Sequence, residues 1–225
     1  MKTPFVDAVL SIVRKDLRAE LRSRELVSTM GLFALLSILI FSFSLELDRV
    51  ARNESVGGVL WVTVVFASVL GLNRSMAMER DQGNLDALLL SPIDRTAIFF
   101  GKLLGNFIFT LIVGLILVML MTILFNISLV APPMLLLLVL GVLGFATVGT
   151  LLATMTVQTR ARESLLPIVM MPVALPLLLI AVRGSNSILS NAAAETWLGW
   201  LQILVVLDVI FMVVCFLLFE YVVEE

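Results

Sequence analysis

The sequence predicts an all-α integral membrane protein with six transmembrane helices, an amphipathic helix ahead of them, and both termini in the cytoplasm. Three observations carry that prediction. The 225 residues are 60% hydrophobic and only 14% charged, a composition outside the range of water-soluble domains. Six apolar runs, near 26–45, 55–73, 103–125, 134–157, 164–182 and 200–222, are long enough to cross a hydrocarbon core of about 30 Å, which takes roughly 20 helical residues. Lys and Arg alternate between the connecting segments: six before the first run, then two, four, none, two, one and none. The positive-inside rule therefore places the N-terminus, segments 74–102 and 158–163, and the C-terminus in the cytoplasm.

Little is left over for a soluble domain, and residues 1–225 are expected to form one transmembrane domain. The first run follows a charged segment and lacks a small-residue cleavage site, so it reads as a retained span with the mature chain starting near Met1. Cys215, the single cysteine, lies inside the last run and cannot form an intrachain disulfide. The chain has no histidine, which removes the commonest metal and axial haem ligand. No metal site, catalytic centre or directly bound cofactor is expected, and no nucleic-acid partner.

Ahead of the first run, residues 1–25 carry Val6, Val9, Leu10, Val13, Leu17 and Leu21 at helical spacing, while Arg14, Arg18 and Arg22 recur on another face. An amphipathic helix at the cytoplasmic membrane surface, its basic stripe toward anionic lipid headgroups, fits this pattern. A solvated stalk leading into span 1 is the alternative.

Segment 126–133 contains no charge and includes Pro132-Pro133, a tight external turn. Small residues four apart, Ala67/Gly71, Gly101/Gly105 and Gly149/Ala153, permit close helix approach and read as packing. Pro167, Pro172 and Pro176 crowd span 5. Each removes a backbone donor, so the span is expected to be kinked or broken. Asp208 stands well inside span 6, where a carboxylate is expensive and faces protein or water. A local packing role and a role in subunit contact or a gated cavity are both open. Segment 183–199 is expected to lie outside, with helix formers at Ala192–Glu195 suggesting a short external helix, and Trp197 and Trp200 anchoring span 6 at the outer interface.

The most informative stretch is the cytoplasmic segment 74–102. Helix continues through Gln82 and stops at Gly83, which accepts the left-handed conformation of a helix end. Asn84 is a good N-cap for a short helix that puts Leu85, Leu88 and Leu89 on one face. Ser91-Pro92-Ile93-Asp94 then resembles a capping box opening the next helix. Leucines offered between charged flanks suit docking into a partner's groove, or resting on lipid.

The pattern E-R-x-x-G-x-L-x-x-L-L-x-x-P-x-x-R over residues 79–95 resembles the coupling helix between spans 2 and 3 of ABC-2 type permeases. More narrowly, residues 57–106 with Trp61, residues 12–25, and residues 165–182 with their spaced prolines are similar to the haem exporter B, or CcmB, family of cytochrome c maturation. The resemblance implies an ABC-2 type permease of the bacterial inner membrane, working with a separate ATPase subunit and a second permease copy. It also implies a haem-handling membrane protein, a small single-span protein and a periplasmic haem chaperone, whose release ATP hydrolysis drives. ATP would be bound by the partner subunit and haem by partner proteins. The sequence agrees in lacking a G-x-x-x-x-G-K-[ST] phosphate loop. On this resemblance the ATPase-coupling residues are Glu79, Arg80, Gly83, Leu85, Leu88, Leu89, Pro92 and Arg95. Gly83 and Pro92 would shape the backbone, the leucines would fill the ATPase groove, and the charged residues would orient it.

Two other functions fit the composition. An ABC-2 type exporter of lipid, glycan or drug would share the coupling loop. An ATP-independent scaffold or carrier would not need it, and Asp208 alone makes a poor ion relay.

Overall fold

The computed structural model describes residues 4–45, 49–81, 93–156 and 162–222. Seven helices are found there: α1 (Phe5–Ser23), α2 (Glu25–Ser44), α3 (Arg49–Asp81), α4 (Arg95–Phe125), α5 (Pro132–Thr156), α6 (Arg162–Leu189) and α7 (Ala194–Val222). No strand occurs among the described residues. The last six helices are long and apolar enough to span a membrane. An all-helical architecture follows from the solvent, because only a helix satisfies its own backbone groups in hydrocarbon without neighbouring strands.

The helices overrun the apolar runs that mark them. α3 extends from Arg49 to Asp81, and α6 continues to Leu189. Hydropathy reports only the part of a helix inside hydrocarbon, whereas its hydrogen-bond ladder continues wherever side chains can face water. One consequence corrects the expected external helix at Ala192–Glu195. α6 and α7 instead absorb both ends of that segment and leave only residues 190–193 between them. Asn191 adopts φ 53°. Its N–H bonds the Ile188 carbonyl at 3.1 Å and the Ala192 N–H bonds the Ser187 carbonyl at 3.1 Å, the paired hydrogen bonds of a Schellman motif with asparagine as the left-handed residue.

A second correction concerns the start of α4. Asp94 is the N-cap, not the third residue of a box begun by Ser91. Its Oδ1 accepts from the Thr96 N–H at 3.1 Å and from Thr96 Oγ1 at 2.9 Å. A carboxylate at this position also meets the positive end of the helix dipole. At the other end of α4, Asn126 takes φ 53° and the chain turns into α5 at Pro132, where a missing N–H costs nothing.

The centre of the bundle is α3 and α5, each with 72% of its most apolar stretch buried, against 17% for α7 and 22% for α2. α5 lies against α3, α4, α6 and α7. Trp61 of α3 is fully buried. Its ring lies 6.1 Å from that of Phe145, occupies the space where a Cβ on Gly141 would stand, and its Nε1 donates to Ser185 Oγ of α6 at 2.8 Å. Glycine at 141 lets the largest side chain sit between three helices. Asn106 of α4 donates to Thr150 Oγ1 of α5 at 3.0 Å, satisfying two buried polar groups together.

α6 runs as one helix through Pro167, Pro172 and Pro176, so of the expected kink or break, the break does not occur. Met170, Ala174, Leu177 and Ala181 form its buried face, while Pro172 and Pro176 stand on the exposed one.

Candidate functional site

The most unusual chemistry lies at the end of the bundle that the Lys and Arg distribution assigns to the cytoplasm. α1 packs along the start of α4. Ala8 and Val9 meet Ala97, with Ile93, Phe100 and Leu104 around them, and a Cβ on Gly101 would stand 2.8 Å from the Ile12 Cβ. One turn further, Asp16 passes 3.4 Å from where a Gly105 Cβ would be. The Gly101/Gly105 pair is thus a groove cut in α4 for α1, a specific use of the small-residue spacing.

This close approach brings four charged side chains from three helices together. Lys102 Nζ of α4 lies 2.8 Å from Glu79 Oε1 of α3 and 2.9 Å from Asp16 Oδ2 of α1. Lys15 Nζ of α1 reaches the same Glu79 oxygen at 2.7 Å and Asp16 Oδ1 at 3.3 Å. Lys102 is only 3% exposed and Glu79 7%. Two cations and two anions cancel, which is how charges become tolerable at such burial. Burial alone would lower the Lys15 pKa; the hydrogen bond to Glu79 and the fields of Asp16 and Glu79 outweigh it and hold the pKa above that of an ordinary lysine.

A second device fixes the elbow between α1 and α2. Arg24 is left-handed at φ 55°, and α2 begins at the next residue. The buried Glu20 carboxylate accepts from the Val27 N–H at 2.8 Å and the Leu26 N–H at 3.3 Å. It satisfies donors that open the helix and places a negative charge at the positive end of its dipole. Glu25 then pairs with Arg74 of α3 at the surface.

Of the residues expected to act in coupling, Glu79 sits in the four-charge cluster, Arg80 follows it as the penultimate residue of α3, and Arg95 opens α4 in an exposed position. The Arg80 side chain, and Gly83, Leu85, Leu88, Leu89 and Pro92 entirely, lie outside the described residues. The helix stop at Gly83, the short leucine helix and the Ser91-Pro92 half of the expected capping box lie there too. Lys15, Asp16, Glu20 and Lys102 were not singled out as site residues from the sequence. Lys15, Asp16 and Glu20 stand among other charged residues of 12–25, and Lys102 directly after a glycine at the start of a greasy run, so none carries a sequence pattern of its own.

Asp208 occupies a different place, in the contact of α7 with α5 and α6. It is 5% exposed, its Oδ1 and the Leu177 side chain fill the space beside Gly144, and neither carboxyl oxygen has a hydrogen-bond partner among the described residues. No Thr or Asn side chain donates to it there.

Comparison with known proteins agrees across the chain. The model of the family described as "CcmB protein" matches residues 7–223. The "Heme exporter protein B" of Rhodobacter capsulatus is 28% identical over 77% of this chain and 80% of its own length. That of Pseudomonas aeruginosa is 27% identical over 83% of each. The Escherichia coli K12 protein of the same name is 25% identical over 44% of this chain and 45% of its own.

Proposed function

The chain belongs to the CcmB family, and we propose on that footing that it is the membrane permease subunit of a haem export and delivery system for cytochrome c maturation. A separate ABC-type ATPase hydrolyses ATP, and this subunit converts the motion into release of the haem-loaded periplasmic chaperone. It has no ATPase chemistry of its own, pairs with a second copy, and works with a haem-handling membrane protein and a small single-span protein. ATP is held by the ATPase and haem by the partners. The site is the bacterial inner membrane, since helical bundles populate it whereas outer-membrane spans are barrels.

The observation that supports coupling most directly is the placement of Glu79 and Lys102 at the two ends of the cytoplasmic loop, tied to each other and to α1. An ATPase seated on Leu85, Leu88 and Leu89 would push on a loop whose neck is clamped. Force would pass directly into α3, α4 and α1, and through the Glu20 elbow into α2. Arg80 and Arg95, next to the neck, would orient the docked subunit, with Gly83 and Pro92 setting the backbone. A slack connection would dissipate the same movement.

Affinity purification of the tagged protein from its native membrane tests this reading. An ATPase and cytochrome c assembly proteins should co-purify, and Leu88→Arg should lose the ATPase without losing membrane insertion, because a charge enters an apolar socket. Undiminished ATPase recovery with Leu88→Arg overturns the docking. An ATPase without cytochrome c assembly proteins would favour an exporter of lipid, glycan or drug.

A further inference from the structure

α1 is held against the ends of membrane-crossing helices at both of its own ends. At its start the Phe5 ring meets that of Phe100 in α4 at 6.1 Å, and Phe100 in turn meets Phe216 at 6.1 Å, in the last turn of the apolar part of α7. At its finish only Arg24 separates α1 from α2, whose apolar stretch begins at Glu25. A helix joined in this way to the ends of two spans runs along the bilayer surface and does not reach away into water as a stalk. Its circumference divides into three faces. Ala8, Val9, Ile12 and Val13 are buried against the bundle. Beside them, at helical spacing, come Val6, Leu10 and Leu21, 58–75% exposed, and beyond these Arg14, Arg18 and Arg22. The apolar stripe thus stands where acyl chains would meet the bundle, with the cations one step further out, at headgroup level.

What selects an anion is the lack of competing charge. The hollow along the basic face is lined by Ser11, Arg14, Lys15, Arg18, Leu21 and Arg22, and no carboxylate lines it among the described residues. No described side chain pairs with Arg14, Arg18 or Arg22. The acids of α1 are engaged or distant: Asp16 binds Lys15 and Lys102 in the cluster, and Glu20 accepts from the first N–H groups of α2. Asp7, on the basic face itself, lies in the first turn, about 10 Å along the axis from Arg14. The three guanidinium groups are spaced about 6 Å apart along the helix, and their planar forks match phosphate oxygens.

We propose that the outer face of α1 binds anionic phospholipid on the Lys- and Arg-rich side of the membrane, with phosphate diesters on Arg14, Arg18 and Arg22 and acyl chains against Leu10 and Leu21. The charge cluster holds the opposite face of α1 to α3 and α4, so leaflet and bundle grip one helix from two sides. The site stands whether or not an ATPase docks on the 79–102 segment.

The full chain carrying Leu21→Trp is reconstituted in phosphatidylcholine nanodiscs into which acyl-brominated phosphatidylglycerol or acyl-brominated phosphatidylcholine is mixed in increasing proportion. Quenching of the new tryptophan is obtained by difference from the chain without it. Phosphatidylglycerol is expected to bind about fivefold or more tightly than phosphatidylcholine, the scale of one Lys or Arg at a membrane surface. Arg14→Gln, Arg18→Gln and Arg22→Gln together, at matched helicity and size-exclusion profile, should bring that ratio to about one. Lysine at the same three positions should keep most of the preference, and added salt should shrink it. A reporter that neither lipid quenches overturns the proposal and leaves the basic face to an acidic protein surface. Equal quenching by both lipids, or a preference that survives the three glutamines, overturns it as well. A preference abolished by inorganic phosphate at constant ionic strength overturns the lipid assignment in favour of free phosphate.

Discussion

Lys102 and Glu79 meet at 2.8 Å, so the segment between α3 and α4 is closed at its neck by two nearly inaccessible charges. Because each also contacts α1, the pair does not act alone. Lys102→Met should therefore destabilise the protein by about 3 kcal/mol, the scale for breaking a buried pair and stranding its partner, read as a lowered thermal midpoint in detergent.

The double reversal Glu79→Lys with Lys102→Glu distinguishes a cluster from a pair. It would restore the 79–102 contact while setting the new lysine against Lys15 and the new glutamate against Asp16. The expected midpoint stays at or below that of Lys102→Met. Recovery to wild type would mean that α1 takes no part in the electrostatics.

Gly101→Val should lift α1 from its groove, since even a single Cβ would crowd Ile12. Overpacking of this kind costs about 1–3 kcal/mol, so a cysteine at Val9 should react about tenfold or more faster with a membrane-impermeant maleimide. Adding Ile12→Ala should return the rate toward that of the parent. An unchanged rate in Gly101→Val would show that α1 is held by contacts elsewhere along its length.

How much of this was legible in the sequence depends on which physical signal each feature leaves. Six apolar runs report burial in hydrocarbon directly, and all six helices were found. The polar ends of α3 and α6 were read too short because hydropathy stops where the hydrogen-bond ladder does not. The helix spacing of Val9 and Val13 showed an apolar face on α1 but not what covers it: in the structure Val9 is buried against α4, while Val6, Leu10 and Leu21 form a second, exposed apolar stripe. That stripe, beside Arg14, Arg18 and Arg22, fits a helix lodged between the bundle and the membrane surface. Glu79 was picked out by its loop pattern alone. Its partners Lys15, Asp16 and Lys102 left no pattern, because a contact between residues far apart in sequence is set by tertiary packing.

The charge cluster also has a pH signature. The folded-state pKa of Lys15 is raised above its ordinary 10.5, so its contribution to stability is fully present below that value and is lost as pH rises through the higher folded value. Between pH 7 and 10 the thermal midpoint should show no decline that Lys15→Met abolishes, and above that range wild type should lose stability toward the level of the variant. A Lys15-dependent decline already at pH 8 would mean that the ammonium is not held by Glu79 and Asp16.

Asp208 gives the last test, because its two oxygens lack partners among the described residues while its side chain fills the space beside Gly144. Shape and charge can be separated there. Asp208→Asn keeps the shape and should leave the thermal midpoint within about 0.5 kcal/mol of wild type, the usual range for a change that breaks no contact. Gly144→Ala keeps the carboxyl but drives a methyl into it and into Leu177, and should cost about 1–3 kcal/mol. If both hold, the site's packing is set by volume, and any loss of cytochrome c assembly in the equally stable Asp208→Asn protein isolates a need for the carboxyl group itself. An Asp208→Asn protein as unstable as Gly144→Ala would instead place a partner on the carboxylate in the folded bundle.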